Sequence, residues 1–558
     1  MPLSALRLCS RLPNMSESIH EAPLPPETET AQVKGDTGSA IEKEDVGDDA
    51  VKEVFDSNAA ALQPDLKRSL KSRHLTMLAI GGIIGPGYFV GIGSGLTNGG
   101  PAGLLLGFGV VGVLLWAVMQ SLAEMAAFLS VSGSFANYAG RFIDPALSFS
   151  LGWNYAFLWF GILAAEYNNL GLVMTYWPSA LPNWGFILIF WFFFLGFSYL
   201  GVLAFGEAEF FITMAKILFI LAFFVCSILL SSGAIGEGPP IGFEYYRNPG
   251  AFADGVAGVF KQYSGTEMIG LTAGESANPA RDVPRAVKFV FWRVLVIFLG
   301  GIFFLSLCVP YNDPTLLSGT SKTARSPFVI AFVRRNLPRG GDAINAIIIV
   351  TIVSALNGAL YVSSRCIAAL SAEGRAPAIL GKINKRGVPW TALIFCNLFG
   401  FISLLNLSSS AGQLYSWLVN ITGVATFITW GCICWCHIRF RKALQLQGIS
   451  LDELPFRAAL YPYGAWFGLL GNLFFIFFQG WTCFLSPFSV SDFFMNYMMI
   501  PVFALMYLGW KFWKKTKWVD LATCDLVTGR REWRPNTAAG DAEGKRTFVQ
   551  RMKDGVTG

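Results

Sequence analysis

Charge is what this sequence has least of. Lys and Arg number 42 and Asp and Glu 36 in 558 residues, 14% of the chain, against about 25% in ordinary soluble domains. With 53% hydrophobic residues and a positive mean hydropathy, such a chain cannot keep a soluble surface wet, which excludes an ordinary globule and points to a polytopic membrane protein. Paired cysteine spacing is also missing. Of the ten cysteines, Cys432, Cys434 and Cys436 fall at alternate positions of an apolar run and so on different helix faces, which favours inert buried thiols over a disulfide framework or a metal centre. No cofactor or metal is expected. No nucleophile, base and orienting group stand at usable spacing, which speaks against an enzyme. The opening MPLSALRLCSRL lacks a sustained apolar core, so no secretory signal is expected there. The net charge of +6 sits mainly at the ends of apolar runs and reports membrane orientation rather than nucleic-acid binding.

What the chain does have is apolar runs of membrane-crossing length. At about 20 residues each, roughly twelve can be drawn. Their limits are 75–97, 102–128, 147–177, 184–202, 207–231, 254–275, 287–310, 342–370, 389–407, 412–437, 463–484 and 492–514. Residues 1–73 read as a disordered tail, rich in Glu, Asp, Pro, Ser and Thr, with 74–514 the membrane domain and 515–558 a polar, mostly irregular tail. Lys67, Arg68, Lys71, Arg73 and His74 before the first run place the N-terminus in the cytoplasm, and an even number of spans returns the C-terminus there. Arg334, Arg335 and Arg339 fall on the opposite side and are read as a short amphipathic helix over 325–340 in an outer loop. Phe135 to Asp144 reads as a cytoplasmic linker ending in an exposed Arg141-Phe-Ile-Asp144, and Ser231 to Ala253 as a long outer connection.

Two of these runs are broken in the middle. Leu78 to Gly91, LAIGGIIGPGYFVG, contains Gly81, Gly82, Gly85, Pro86 and Gly87, all poor helix formers. Gly85 lies about 15 Å along the helix from Leu75, near the bilayer midplane, where freed backbone groups are costly unless a ligand meets them. Ser264, Gly265 and Thr266 interrupt a second run at matching depth, five spans later. Taken alone, the first stretch also suits a glycine face for helix packing; the pair fits corresponding helices of two structural repeats with a substrate site at the break.

Read in order, His74-Leu-Thr-Met77, Gly81-Gly-Ile-Ile-Gly85, Gly206-Glu-Ala-Glu-Phe210 with Lys216, Ser264-Gly-Thr-Glu267, Thr272-Ala-Gly-Glu275, Asn278-Pro279, Ser363-Ser-Arg365 and Phe427-Ile-Thr-Trp-Gly431 resemble the fungal amino acid permeases of the amino acid–polyamine–organocation superfamily. The resemblance covers about residues 70–515. It implies an all-α fold of two inverted five-helix repeats, with broken first and sixth helices and two further helices, and proton-coupled uptake of amino acids across the plasma membrane. By the same resemblance the first break, at Ile84, Gly85 and Gly87, receives the substrate carboxylate, and the second, at Tyr263, Ser264, Gly265 and Thr266, its ammonium group. Helix N-termini suit the one and unwound carbonyls the other. Where the family has a hydroxyl residue between the two glycines, this chain has Pro86, which offers no N–H.

Ionisable residues inside spans are functional-site hypotheses. Glu166 resembles the family's acidic residue of the third span, with a structural partner for a neighbouring helix as the other reading. Glu267 is read either as a cap on the continuing half-helix or as a site residue. Thr422 resembles a position facing the substrate side chain, although a threonine in a span commonly bonds to its own helix. Asn357 and Ser363 are weaker candidates, and Glu124, Glu275, Arg281 and Arg365 lie near cytoplasmic span ends as gate pairs or solvated charges. Lys261 stands where the family places an aromatic gate; it pairs with Glu166 or Glu267, meets an acidic substrate side chain, or snorkels outward. Lys216 lies about 14 Å into its span, where a lysine is either neutral or paired. The resemblance makes it the carrier of proton coupling, holding carbonyls near Gly81 and Gly82, while the plainer reading is a strut between helices. The expected partners are thus an amino acid, protons and membrane lipids, with no nucleic acid and no oligomeric state set by the sequence. A receptor that keeps the site but does not transport is the rival function.

Overall fold

The computed structural model describes residues 77, 88–89, 92–129, 131, 134–174, 176–178, 180–253, 292–317, 326–407, 411–478, 480–484 and 487–530. Both predicted helix breaks lie outside these residues, and with them Ile84, Gly85, Gly87, Lys261, Tyr263, Ser264, Gly265, Thr266 and Glu267.

Among the described residues the secondary structure is helical apart from one isolated bridge, Leu129 with Arg530. The longer helices are α1 (Ile92–Phe128), α2 (Ser134–Phe142), α3 (Pro145–Met174), α4 (Asn183–Ser198) and α5 (Val202–Ser232). They continue with α6 (Gly300–Ser306), α7 (Pro314–Leu317), α8 (Pro327–Val333), α9 (Pro338–Ala372), α10 (Trp390–Leu398) and α11 (Ala411–Leu446). The last are α12 (Tyr463–Phe478), α13 (Val490–Tyr497) and α14 (Met499–Lys514). Among the described residues four helical stretches are long and apolar enough to cross a membrane: Gly95–Phe128, Pro145–Met174, Val202–Ser232 and Arg339–Ala372.

Helix α3 runs through the middle of the bundle, packed along α9 and α11 and touching α2, α4 and α14. Its composition explains the position. Ala146, Gly152, Ala156, Ala164 and Ala165 let neighbours come close, and a Cβ on Gly152 would stand 2.4 Å from Cδ2 of Leu370 on α9. Asp144 starts this helix: its carboxylate accepts the Ala146 N–H at 2.8 Å, and Pro145, which has no N–H to lose, occupies the first helical position.

Helix α1 carries a break. At Gly100 the backbone turns to φ 69° and ψ 176°, and Pro101 follows, at the boundary the sequence sets between 97 and 102. Only glycine fits here, because a Cβ would stand 2.6 Å from the Ala253 nitrogen. The connection after α5 docks at this point through Ala102 N–H to Ala251 O at 2.8 Å and Ala253 N–H to Gly99 O at 3.2 Å. Its start is held by Arg335, 5% exposed, which donates to the carbonyls of Leu230, Glu237 and Pro239 at 2.8–2.9 Å. Arg334 pairs with Asp313. Arg334 and Arg335, two of the arginines the sequence sets apart from the other basic clusters, thus hold loop segments.

The linker between the second and third predicted spans differs from its expectation. Residues 134–142 form a helix with Phe135, Tyr138, Ala139 and Phe142 buried, and Ile143 and Asp144 are buried as well. The cause is the C-terminal segment, which lies back over them. Val519 N–H donates to Ile143 O at 2.9 Å, Lys511 pairs with Asp144, and Thr516 donates to the same carboxylate at 2.7 Å. Arg439 on α11 donates to Phe142 O and, at 2.8 Å, to Val519 O. Further on, Gln447 donates to the carbonyls of Leu521 and Cys524, and Arg141 to that of Thr528. Residues 515–530 are irregular, as expected, but they form a bonded strap.

Candidate transport site

Glu166 on α3 and Lys216 on α5 are both buried and act on each other electrostatically. Glu166 is 8% exposed, with Asn168 and Asn169 buried one turn on and no hydrogen-bond partner for its Oε2 among the described residues. Lys216 is 1% exposed and interacts electrostatically with both Glu166 and Glu209.

Among the described residues, Lys216 is linked to two that sequence reasoning did not single out. Its Nζ donates to Ser354 Oγ of α9 at 2.7 Å, and Ser354 in turn donates to the Glu209 carboxylate, at 2.6 Å to Oε1 and 2.8 Å to Oε2. Nζ itself is 3.9 Å from Glu209 Oε1, too far for a direct hydrogen bond. Thr213 donates to the same Oε1 at 3.3 Å. Three of these residues share one stripe of α5, since four residues turn a helix by 400° and seven by 700°. That spacing was a readable signal for Glu209. Ser354 had none, because only the packing of α9 against α5 brings it there.

The remaining candidates scatter. Thr422 is buried on α11, where its carbonyl accepts from Thr426 at 2.9 Å, and Asn154 of α3 donates to Thr429 and Ala425 on the same helix. Asn357 is 3% exposed with no partner for Nδ2 among the described residues, while Ser363 bonds within its own helix to Leu360 O. Glu124 sits in a separate cluster with Arg441 and His437: Arg441 Nη2 donates at 2.8 Å, the Ala458 N–H at 2.6 Å, and His437 Nε2 stands 3.1 Å away. Arg365 lies over the Tyr361 ring at 3.6 Å. Glu275 and Arg281 are outside the described residues. Cys432, Cys434 and Cys436 are buried free thiols.

A buried lysine bridged to a carboxylate at the middle of an apolar bundle suits a membrane carrier, and the comparisons with known proteins are specific. The family model for amino acid permeases matches residues 74–522. This chain belongs to the amino acid permease family. An uncharacterized amino-acid permease of Schizosaccharomyces pombe is 39% identical to this permease over 516 residues, covering 91% of the chain and 94% of that protein. A general amino acid permease of Saccharomyces cerevisiae is 39% identical over 537 residues, covering 95% of each. The basic amino-acid permease of the same yeast is 37% identical, covering 87% of this permease and 88% of its own length. Among solved structures, a manganese transporter of Eremococcus coleocola aligns with 79% of this permease and 93% of its own chain at 14% identity and a TM-score of 0.48, too slight a likeness to carry an argument.

Proposed function

We propose that this permease is a proton-coupled secondary transporter that imports amino acids across the plasma membrane. The supporting observation is the Lys216–Ser354–Glu209 chain, with Glu166 beside it: exchangeable protons buried where a membrane protein has little reason to keep charge unless it uses it. In this reading the domain over 74–514 has twelve spans, two inverted five-helix repeats and two added helices, between cytoplasmic tails over 1–73 and 515–558. Ile84, Gly85 and Gly87 receive the substrate carboxylate, and Tyr263, Ser264, Gly265 and Thr266 its ammonium, while Thr422 faces its side chain. Lys261 and Glu267 stand at the edge of that site as gate or counter-charge. Lys216 and Glu166 carry the proton, and loading or unloading it changes how firmly α5 is held, which is the two-state element that alternating access needs.

The test is uptake of radiolabelled amino acids by permease-deficient cells expressing the protein, measured against external pH and with a protonophore. Accumulation that falls with rising pH and collapses with the protonophore is the expected result. Saturable binding without accumulation contradicts it.

A further inference from the structure

The arrangement around Lys216 has a direction. Among the described residues its donors point one way, from Nζ to Ser354 Oγ at 2.7 Å and from Ser354 to Glu209 at 2.6 Å, and the two ends are 3.9 Å apart, so the hydroxyl is the bridge between them. All members are buried: Glu209 and Lys216 are 1% exposed and Ser354 2%. Thr213 holds the carboxylate in place from one turn on. Among the described residues the charged groups acting on Lys216 are Glu209 on its own helix and Glu166 on α3; α9 contributes the Ser354 hydroxyl, with Arg365 further along, over Tyr361. Arg335 reaches α5 only at Leu230. A lysine that served simply as a strut would gain more from direct contact with the carboxylate than from a bridging hydroxyl on another helix.

We propose that Ser354 and Glu209 form the proton relay that discharges Lys216. The Nζ–H bond breaks and its proton passes to Ser354 Oγ, while the Ser354 hydroxyl proton passes to Glu209. Lys216 becomes a neutral amine, Glu209 a neutral carboxylic acid, and Ser354 is regenerated. The positive and negative charges vanish together, so the transfer itself strands no charge in the bundle; once Glu209 has given its proton to water, its carboxylate stays ionised until Lys216 is reprotonated. Glu209 lies seven residues nearer than Lys216 to the Val202 end of α5, about 10 Å along the helix, and water reaching that end in the inward-facing state takes its proton. Because Ser354 belongs to α9, the relay is complete only while α9 stays packed on α5. A shift of one helix against the other opens the bridge and stops proton transfer, which ties the proton step to the conformation. Ser354 and Glu209 thus carry the proton that leaves Lys216, and Thr213 only positions the carboxylate.

The inference rests on the reading of Lys216 as the coupling residue, and the experiment separates the two. Purified full-length protein in proteoliposomes is assayed with a 14C-labelled amino acid hydrolysate for accumulation driven by a pH gradient and for counterflow, which needs no net proton movement. Glu209→Gln keeps an acceptor for Ser354 but cannot take a proton at that oxygen, and Ser354→Ala removes the bridge. Each is expected to lower the ratio of gradient-driven accumulation to counterflow at least tenfold, with Ser354→Thr restoring it. An unchanged ratio in Glu209→Gln and Ser354→Ala overturns the relay, as does a parallel fall of both activities. If Lys216→Met loses coupling while those two keep it, only the relay is wrong. If Lys216→Met keeps coupling as well, the reading of Lys216 falls too.

Discussion

Replacing Arg441 by Met puts a number on the buried charge cluster at the end of α1. Glu124 is fully buried and is met by Arg441 through two nitrogens, by the Ala458 N–H at 2.6 Å and by His437 at 3.1 Å. The guanidinium also stacks on Tyr461, 4.7 Å from its centroid. Stranding a buried carboxylate by deleting its partner costs about 3–5 kcal/mol; here Ala458 and His437 remain, so the loss is expected at the lower end, about 3 kcal/mol. The double variant Glu124→Gln, Arg441→Met has no charge to strand and loses only hydrogen bonds, about 1–2 kcal/mol. It is therefore expected to be more stable than Arg441→Met alone. Unfolding of the detergent-solubilised protein in mixed micelles, titrated with SDS and followed by tryptophan fluorescence, reads the order. A double variant as unstable as the sum of the two single ones would refute the dependence of Glu124 on Arg441.

Three further outcomes follow from packing and charge. Burial works against the charge on Asp144, but Lys511, Thr516 and the Ala146 N–H outweigh it and hold this carboxyl below the usual carboxylate range. Its contribution is then present above the unfolded value of about 3.9 and lost as pH falls through the lower folded value, so melting points measured down a pH series should drop below about pH 4 in wild type and less in Asp144→Asn. A Cβ on Gly468 would stand 2.5 Å from Cys434 Sγ, so Gly468→Ala should cost about 1–3 kcal/mol in the same SDS titration, and adding Cys434→Ala should recover most of it. Arg335→Lys keeps the charge but cannot reach the three carbonyls of Leu230, Glu237 and Pro239 in one geometry; a loss of about 2 kcal/mol is expected, seen as faster thermolysin cleavage within 233–253.

Local chemistry was legible in the sequence, and distant contact was not. The break at Gly100 could be placed because Gly-Gly-Pro interrupts an apolar run, and the cores of α3, α5 and α9 because apolar runs of that length have one use. Helix α5 starts earlier than expected, at Val202, because its boundary is set by Gly201 at φ 107° and not by the charge of Glu207. Lys216 was found from its depth in the span, yet its bond to Ser354 depends on 138 residues of intervening chain and a helix packing that no local pattern encodes. The burial of Phe142 and Asp144 was missed for the same reason. The strap that covers them bonds largely through backbone carbonyls, which every residue owns and which therefore leave no mark on composition.

The strap also decides where a pull on the tail is felt. Beyond α14 the chain is fastened in series, at Asp144, at Ile143, at Arg439 and Gln447, and finally at Leu129 and Glu453 through Arg530, whose guanidinium rests 4.8 Å from the Phe128 ring centre. A load applied past residue 530 reaches the ends of α1 and the loop before α12 first, and peels the fasteners one at a time back toward α14. Anything tethered to the tail thus tugs on the end of α1 and the loop before α12 before it can tilt α14.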